Sequence, residues 1–497
     1  MDKKNFDDRW LYIPIIVLAI YLFIRLVDQS KIISIFPLDK YNDWSSYMSQ
    51  LHFLKVCGFH NFCSYWYNGF INLQISQPGW YFFIYPLYLI TNNVQLTAYL
   101  SLILTLLLSF IAIYFSRNKL NLSKIKVIAV FLFFFANAIS IGNFIRLGKV
   151  HEFFGWFNLI AIFIFLLIYK DKKIDYKFLF IIPFYFFAIL SHQNSALISS
   201  LAIVGLILIK DLREKLKVIY ISLIPIILTS FWWLDYIKNF FNTTSKTILV
   251  SNTLTSINQA TYNDNIVATI IPIIFFASLY FYLRSINNRK KEFLFLLPQS
   301  IIAFLLLTRL IIFVPFMNHV FPDSYALFLL FFTILMIFKI DFSIFKNYKK
   351  FIPIILVLVS LASVTLNIIF TPSFIEHTVL EKNTLSVLEN VEEKFMILNT
   401  PSRRTSYPEA YYSYAAIYLN LSTPSGWYPS MVSKDYINKL SLPETYLKNR
   451  DCSSLKESLY GLEAKEIISY DDYCKVLADC EFEQRMNKDN VCLYKIK

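Results

Sequence analysis

The sequence predicts an all-α polytopic membrane protein that ends in a small extracytoplasmic α/β domain. Of its 497 residues, 56% are hydrophobic and only 16% are charged, whereas soluble globular domains are about half apolar and a quarter charged. Apolar blocks of membrane-spanning length recur up to residue 370. Beyond that point the sequence alternates short helical and strand patterns. We therefore predict two domains, a transmembrane domain at 1–370 and an α/β domain at 371–497.

The transmembrane domain is predicted from the lengths of its apolar blocks, because a span needs about 20 apolar residues to cross the hydrocarbon. The predicted spans, about eleven, are 10–27, 94–116, 126–144, 153–169, 177–192, 195–209, 218–236, 266–283, 293–308, 320–338 and 351–370. The apolar segment 79–91 is shorter. We predict it to be a re-entrant or interfacial helix inside a large first external loop, residues 28–93, called here the first loop.

Basic residues give the predicted orientation of these spans. Alternate loops carry four Lys or Arg each, and the loops between them carry fewer. The basic loops are 117–126, 169–177, 210–217, 284–292 and 339–350. By the positive-inside rule, this pattern predicts a multi-pass plasma-membrane protein with a cytoplasmic N-terminus and an extracytoplasmic C-terminal domain. The net charge of +13 is explained by this topology, and no nucleic-acid motif accompanies it, so we expect no nucleic-acid partner.

All six cysteines fall in segments predicted to lie outside, which favours disulfides. They are Cys57, Cys63, Cys452, Cys474, Cys480 and Cys492. Cys57 and Cys63 can close a small loop in CGFHNFC, and the other four can staple the tail. Zinc is the alternative for CGFHNFC, with His60 as a ligand, although this stretch lacks a second ligand pair.

Two aspartates, Asp39 and Asp43, stand where the chain leaves the first span. Asp43 precedes a helical pattern, NDWSSYMSQLHFLK, in which it shares a stripe with Tyr47, and we expect this helix to lie on the membrane surface. A carboxylate placed there can accept the proton of an attacking hydroxyl. The alternative is that Asp43 is an ordinary helix cap. Asp39 is a second candidate acid, and its alternatives are a solvated loop residue or a partner of Lys40.

A second group of ionisable residues lies in the next external loop, where Arg146, Lys149, His151 and Glu152 fall within NFIRLGKVHEFFGWFN. Ionisable groups near the membrane are often functional. The three basic residues are candidate phosphate ligands, and Glu152 is a candidate to assist Asp43 or to hold a metal. The alternative is a salt-bridged turn at the interface.

Two further basic residues are candidate contacts for a phosphate or substrate. His192, in ILSHQNSAL, stands at a tight turn between two predicted spans, and its alternative role is that of a hydrogen-bonded turn residue. Arg309 is a lone charge in LLTRLIIFVPF. Its planar fork suits phosphate, but the side chain can also snorkel to the interface. No metal-ligand spacing occurs, so the sequence requires no metal and leaves a divalent cation open.

These features resemble the GT-C superfamily of membrane glycosyltransferases. More narrowly, NDWSSYMSQLHFL with FFIYPLYLI, LGKVHEFFGWFNLIAIF, ILSHQNSALISSL and SFWWLDYIKN are similar to a prokaryotic membrane family labelled "6-pyruvoyl-tetrahydropterin synthase related", a label that carries no pterin chemistry here. The GT-C resemblance implies a polyprenyl-phosphate-linked sugar donor and a catalytic acid in the first loop. By position, Asp43 matches that acid, and Glu152 and His192 match an acid and a His of the narrower family. The chain departs from the pattern at Tyr47, where a His is common, and at Asp323, where Arg is expected.

The sequence therefore predicts a glycosyltransferase of the cell envelope that moves a sugar from a polyprenyl-phosphate donor to a lipid, glycan or protein acceptor on the extracytoplasmic face, among membrane lipids. The alternatives are an envelope polysaccharide polymerase or ligase, a transporter, and a non-catalytic membrane anchor that presents the tail. Paired inverted halves, typical of transporters, are not evident in the sequence.

Overall fold

A computed structural model describes residues 8–38, 43–240, 262–315, 317, 320–340, 351–398 and 408–496. These residues divide into two compact units. Unit 1 comprises Met1–Gln29, Leu100–Phe231 and Ile248–Ser373. Unit 2 comprises Ser30–Tyr99, Trp232–Thr247 and Phe374–Lys497. Unit 2 thus joins most of the first loop to the C-terminal tail.

The described apolar segments form helices. These helices are α1 (Tyr12–Gln29), α2 (Trp44–Val56), α3 (Gly79–Thr91), α4 (Val94–Leu120), α5 (Lys124–Phe135), α6 (Ala138–Arg146), α7 (Val150–Tyr169), α8 (Ile181–Ser191), α9 (Gln193–Ile209), α10 (Leu212–Leu228), α11 (Ser230–Phe240), α12 (Tyr262–Ser285), α13 (Arg289–Phe295), α14 (Leu297–Leu307), α15 (Pro322–Lys339) and α16 (Ile352–Phe370). Each predicted span coincides with one of these helices or with a bent pair, and segment 79–91 forms α3.

By length and composition, the described residues support fewer spans than the eleven predicted. Six helices among the described residues are long and apolar enough to cross a membrane, and the count rises to eight if each bent pair forms one span. The pair α5–α6 bends by 52° and the pair α10–α11 by 68°. The helices at 176–191, 193–209 and 297–307 are only 10–17 residues long. The predicted count of about eleven is therefore not confirmed, because three apolar blocks form helices shorter than a full span.

The core of unit 1 is built around α7 and α15, each of which is 78% buried along its apolar window. Rings from both helices meet, with Phe163 of α7 lying 5.3 Å from Phe331 and 5.2 Å from Phe332 of α15 between ring centroids. Aromatic pairs at this separation stabilise a helix contact beyond their buried area. At α9, Gly155 of α7 allows an even closer approach, since a Cβ there would lie 2.0 Å from Oγ of Ser195.

The tail in unit 2 folds as the predicted α/β domain. Its sheet has the order β3-β4-β6-β5, formed by β3 (Phe395–Ile397), β4 (Glu466–Tyr470), β5 (Glu483–Lys488) and β6 (Val491–Lys495). Strands β3 and β4 are parallel, and the other pairs are antiparallel. The helices are α17 (Val379–Leu388), α18 (Pro408–Tyr414), α19 (Lys434–Asn449), α20 (Cys452–Gly461) and α21 (Asp472–Asp479). The domain has a buried hydrophobic core, and Leu455, Leu459 and Ile467 at its centre have no measurable exposure.

Three disulfides pair all six cysteines, as the sequence predicted. Cys57–Cys63 closes the small loop before the hairpin of β1 (Phe62–Cys63) and β2 (Phe70–Ile71). Cys452–Cys480 and Cys474–Cys492 fasten α20, α21 and β6 to one another. The pairing accounts for the cysteines of CGFHNFC without zinc. These covalent links constrain both the first loop and the tail within unit 2.

Candidate functional site

The first candidate site, in unit 2, is the N-terminal end of α2. Asp43 occupies the N-cap position, with φ −103° and ψ 4°, but its side chain makes no capping hydrogen bond. The residue is half-buried. An N-cap aspartate ordinarily accepts a hydrogen bond from a backbone N–H one turn into the helix. The carboxylate of Asp43 therefore stands at a helix start without serving as its cap.

The surroundings of Asp43 are rich in phenols. The ring of Tyr47 lies 6.3 Å from that of Tyr428 and 6.3 Å from that of Trp80, between ring centroids. Burial raises the pKa of the Tyr428 hydroxyl, and the negative charge of Asp43 raises it further. Burial likewise holds the pKa of Tyr47 well above its usual range, with Tyr428 and Asp43 contributing. These phenols therefore stay protonated at neutral pH, and both lie close enough to Asp43 for its charge to act on them.

Helix α2 itself is more buried than its sequence pattern indicated. Side chains on all its faces are buried, among them Trp44, Ser45, Met48, Gln50 and Phe53. A surface helix would keep a polar face in water or headgroups. Helix α2 packs against α3 and, within unit 2, against α18 of the tail, and its expected place on the membrane surface stays a prediction. Asp39, the second candidate acid, lies outside the described residues, and its role stays a prediction.

The second candidate site, in unit 1, lies where α7, α9 and α15 begin. Glu152 is in the first turn of α7, Asn194 in the first turn of α9 and Ser324 in the first turn of α15. Ser324 Oγ donates to Glu152 Oε1 at 2.5 Å. It accepts from Asn194 Nδ2 at 2.8 Å. All three side chains are buried, and a carboxylate near three helix N-termini has favourable electrostatics.

An ion pair lies at the same ends of α7 and α15. Lys149 Nζ is 3.2 Å from Asp323 Oδ2, with both side chains less than a fifth exposed. Asn143 Nδ2 also donates to Asp323, and the ammonium of Lys149 lies 4.6 Å from the centre of the Phe321 ring. The charge of Lys149 is thus balanced within the protein. Asp323, noted from the sequence only as a departure from a family pattern, is the partner that sequence reasoning missed.

The histidines of this region differ in their placement. His192 is the N-cap of α9, and its Nδ1 accepts the backbone N–H of Asn194 at 3.2 Å. That is the hydrogen-bonded turn role left open by the sequence. His151 is buried in the first turn of α7. Their predicted contacts with substrate stay predictions.

The two predicted arginine ligands hold protein groups in the structure. Arg146 is buried, and its Nε donates to the carbonyl of Pro372 at 3.0 Å. Arg309 adopts a left-handed backbone conformation, φ 64°, and its Nη2 lies 3.1 Å from Thr269 Oγ1. Both contacts orient the guanidinium from within the protein, and neither phosphate role is tested by them. Among the residues that the structure describes, no group of three or more His, Cys, Asp or Glu could hold a metal ion.

The solved structures that the chain resembles are membrane glycosyltransferases of the GT-C fold. A mutant form of the arabinofuranosyltransferase AftD from Mycobacteria aligns over the whole of this chain and 42% of its own, at 12% identity and a TM-score of 0.61. The oligosaccharyltransferase of Archaeoglobus fulgidus in the apo form aligns over 97% of this chain and 74% of its own, at 10% identity and a TM-score of 0.54. The same organism's AglB, in complex with an inhibitory peptide and a dolichol-phosphate, gives 11% identity and a TM-score of 0.55.

These likenesses confirm the predicted GT-C-like fold, and at such low identity they concern the fold alone. The chain spans less than half the length of the arabinofuranosyltransferase. No protein-family model and no curated protein matches the sequence. The narrower family resemblance therefore stays a prediction.

Proposed function

We propose that this protein is a membrane glycosyltransferase that moves a sugar from a polyprenyl-phosphate donor to an acceptor on the extracytoplasmic face. One observation carries the proposal. Asp43 stands at a helix start without capping it, half-buried among neutral phenols. In a glycosyl transfer the acceptor hydroxyl loses a proton as it attacks the anomeric carbon, and a positioned carboxylate can accept that proton. We assign Asp43 this role of base.

The nature of the donor rests on the fold. The archaeal oligosaccharyltransferase of similar fold was solved with a dolichol-phosphate, and a membrane-embedded transferase has ready access to such a lipid. Within this proposal the sequence-predicted phosphate ligands are Arg146, Lys149, His151, His192 and Arg309. Glu152, which lies in unit 1, is proposed as a second acid that assists the transfer. The orientation, with the N-terminus in the cytoplasm and the tail outside, is part of the same proposal.

The test replaces the base without changing its shape. Asp43→Asn should lower transfer from a polyprenyl-phosphate sugar by a factor of about 10² to 10⁴, the usual contribution of a general base. Its melting temperature in detergent should match that of the wild type, because asparagine keeps the size of the side chain and is as favourable at an N-cap position as aspartate. Transfer is measured with the purified full-length protein and a radiolabelled donor.

The matched control is an aspartate that does cap its helix. Asp211 accepts the backbone N–H of Glu214 at 2.9 Å at the start of α10. Asp211→Ala should therefore cost about 1 kcal/mol of stability, whereas Asp43→Ala removes no capping hydrogen bond. If Asp43→Asn transfers sugar at the wild-type rate, the base assignment fails. If Asp43→Ala destabilises as much as Asp211→Ala, the capping role is favoured instead.

A further inference from the structure

A short segment of the tail, residues 420–431, is bound to the first loop within unit 2 and is called here the tail segment. The backbone N–H of Thr423 donates to the carbonyl of Tyr65 at 2.8 Å. The hydroxyl of Tyr67 donates to the carbonyl of Trp427 at 2.9 Å. The hydroxyl of Tyr65 donates to Asn420 Oδ1 at 2.5 Å. These contacts fix the tail segment against a loop that precedes it by more than 350 residues.

Packing at Gly426 brings the two segments into direct contact. A Cβ on Gly426 would come within 2.7 Å of Cγ of Trp66, so no side chain fits between them. Trp66 is fully buried. The close approach fixes the distance between the tail segment and the first loop. Tyr428 follows Gly426 by two residues, so its position is fixed as well.

Tyr428 reaches the start of α2 from this fixed position. Its backbone adopts φ 62°, a left-handed conformation that bulky residues rarely adopt without compensating contacts. Its hydroxyl lies 3.4 Å from Ser46 Oγ, across 382 residues of sequence. Ser46 Oγ in turn donates to the backbone carbonyl of Asp43 at 2.9 Å. The phenol of Tyr428 is therefore anchored one hydroxyl away from the backbone of Asp43.

We propose that Tyr428 is a positioning residue for the carboxylate of Asp43, so that the tail segment completes the catalytic centre. This inference rests on the proposed function of Asp43. Through Ser46, the Tyr428 hydroxyl holds the turn of α2 that carries Asp43, and a neutral phenol near a carboxylate favours its ionised form. The phenol keeps its proton because burial and the charge of Asp43 both raise the pKa of Tyr428. Tyr428 thus prepares the base without touching the substrate.

The groups around Asp43 come from three elements. Tyr47 is on α2 itself, Tyr81 on α3 is fully buried and contributes to the environment of Tyr47, and Tyr428 comes from the tail segment. Asp39 and Lys40 precede Asp43 in sequence but lie outside the described residues. Among these groups, Tyr428 alone is supplied by the tail.

The experiment removes one hydroxyl and reads the ionisation of Asp43 directly. Modification of Asp43 by a water-soluble carbodiimide, which requires the protonated carboxyl, is followed by peptide mass spectrometry as a function of pH. In Tyr428→Phe the pH midpoint for Asp43 should rise by on the order of one unit, because the first turn of α2 loses its hydroxyl anchor and the ionised carboxylate loses a neighbouring phenol dipole. In the same variant the kcat for transfer should fall about tenfold while KM changes less than twofold.

The control variant removes a different hydrogen bond that holds the tail segment. Tyr436, on α19, donates its hydroxyl to the carbonyl of Pro424 at 2.8 Å, so Tyr436→Phe loosens the tail segment without altering the phenol near Asp43. Its midpoint should equal that of the wild type. An unmoved or lowered midpoint in Tyr428→Phe, or an equal rise in Tyr436→Phe, overturns the inference.

The two proposals fail in different ways. If Asp43→Asn abolishes transfer while Tyr428→Phe leaves the Asp43 midpoint unchanged, the base assignment stands and the positioning role is lost. If Asp43→Asn transfers sugar normally while the midpoint rises in Tyr428→Phe, the tail segment still tunes Asp43, but the assigned chemistry is wrong.

Discussion

Replacing Ser324 by alanine is the sharpest test of the buried site in unit 1. Ser324 Oγ makes two hydrogen bonds, one to Glu152 Oε1 at 2.5 Å and one from Asn194 Nδ2 at 2.8 Å. The three residues are at most 2% exposed. A hydrogen bond to a charged group contributes about 1.5–3 kcal/mol and a neutral one about 1 kcal/mol. Ser324→Ala should therefore lower the free energy of unfolding by about 2.5–4 kcal/mol.

The control is a buried serine whose hydroxyl stays within its own helix. Ser300 Oγ donates to the carbonyl of Leu296 at 2.9 Å in α14, so Ser300→Ala should change stability by less than about 1 kcal/mol. Unfolding is followed by SDS titration in mixed micelles for both variants. If the two variants lose the same stability, Ser324 does not hold the Glu152 carboxylate. A cycle with Glu152→Gln then measures how much of the loss belongs to the pair.

Two further substitutions test how closely the helices approach and how the charges are paired. Gly155→Ala places a Cβ 2.0 Å from Ser195 Oγ and 3.0 Å from its Cβ. The overpacking should lower the free energy of unfolding by about 1–3 kcal/mol, and adding Ser195→Ala should recover part of this loss. A melting temperature equal to that of the wild type would show that α7 and α9 separate easily. Lys149→Met leaves Asp323 without its ion-pair partner and should lower the free energy of unfolding by about 1–2 kcal/mol in the same assay. Adding Asp323→Asn should restore most of this stability. A double variant no more stable than Lys149→Met would contradict the pairing.

The positions of the helices were predictable because each depends on a local apolar block. The number of spans was not, because it depends on where polar residues interrupt those blocks. At the bend between α5 and α6, Asn137 accepts the backbone N–H of Ser140 and donates to the carbonyl of Phe133. The Asn137 side chain thus supplies hydrogen-bond partners for backbone groups at the helix break. In the sequence, the polar residues of ANAIS within an apolar block indicate this break. The helix at 79–91 was predicted because its apolar run is short and ends at two asparagines.

The candidate site was only partly predictable, since its partners are distant in sequence. Asp43 was singled out by its place before a helical pattern, but the sequence could not separate a base from a cap. The absence of a capping hydrogen bond appears only in three dimensions. Asp323 lies 174 residues from Lys149, and no local pattern links them. Tyr428 had a weaker signal, because SGWYPS combines turn formers with aromatic residues in an otherwise ordinary loop.

The contact between the first loop and the tail segment also has a consequence for biosynthesis. Tyr65 and its partner Asn420 are 355 residues apart, and ribosomes add roughly 5–20 residues per second. Roughly 20–70 s therefore pass between the synthesis of the first loop and the synthesis of the tail segment that binds it. The Cys57–Cys63 bridge spans six residues and can form during that interval, whereas the side of Trp66 that Gly426 covers stays exposed. A membrane insertase or chaperone that shields aromatic surface during this delay would raise the yield of folded protein.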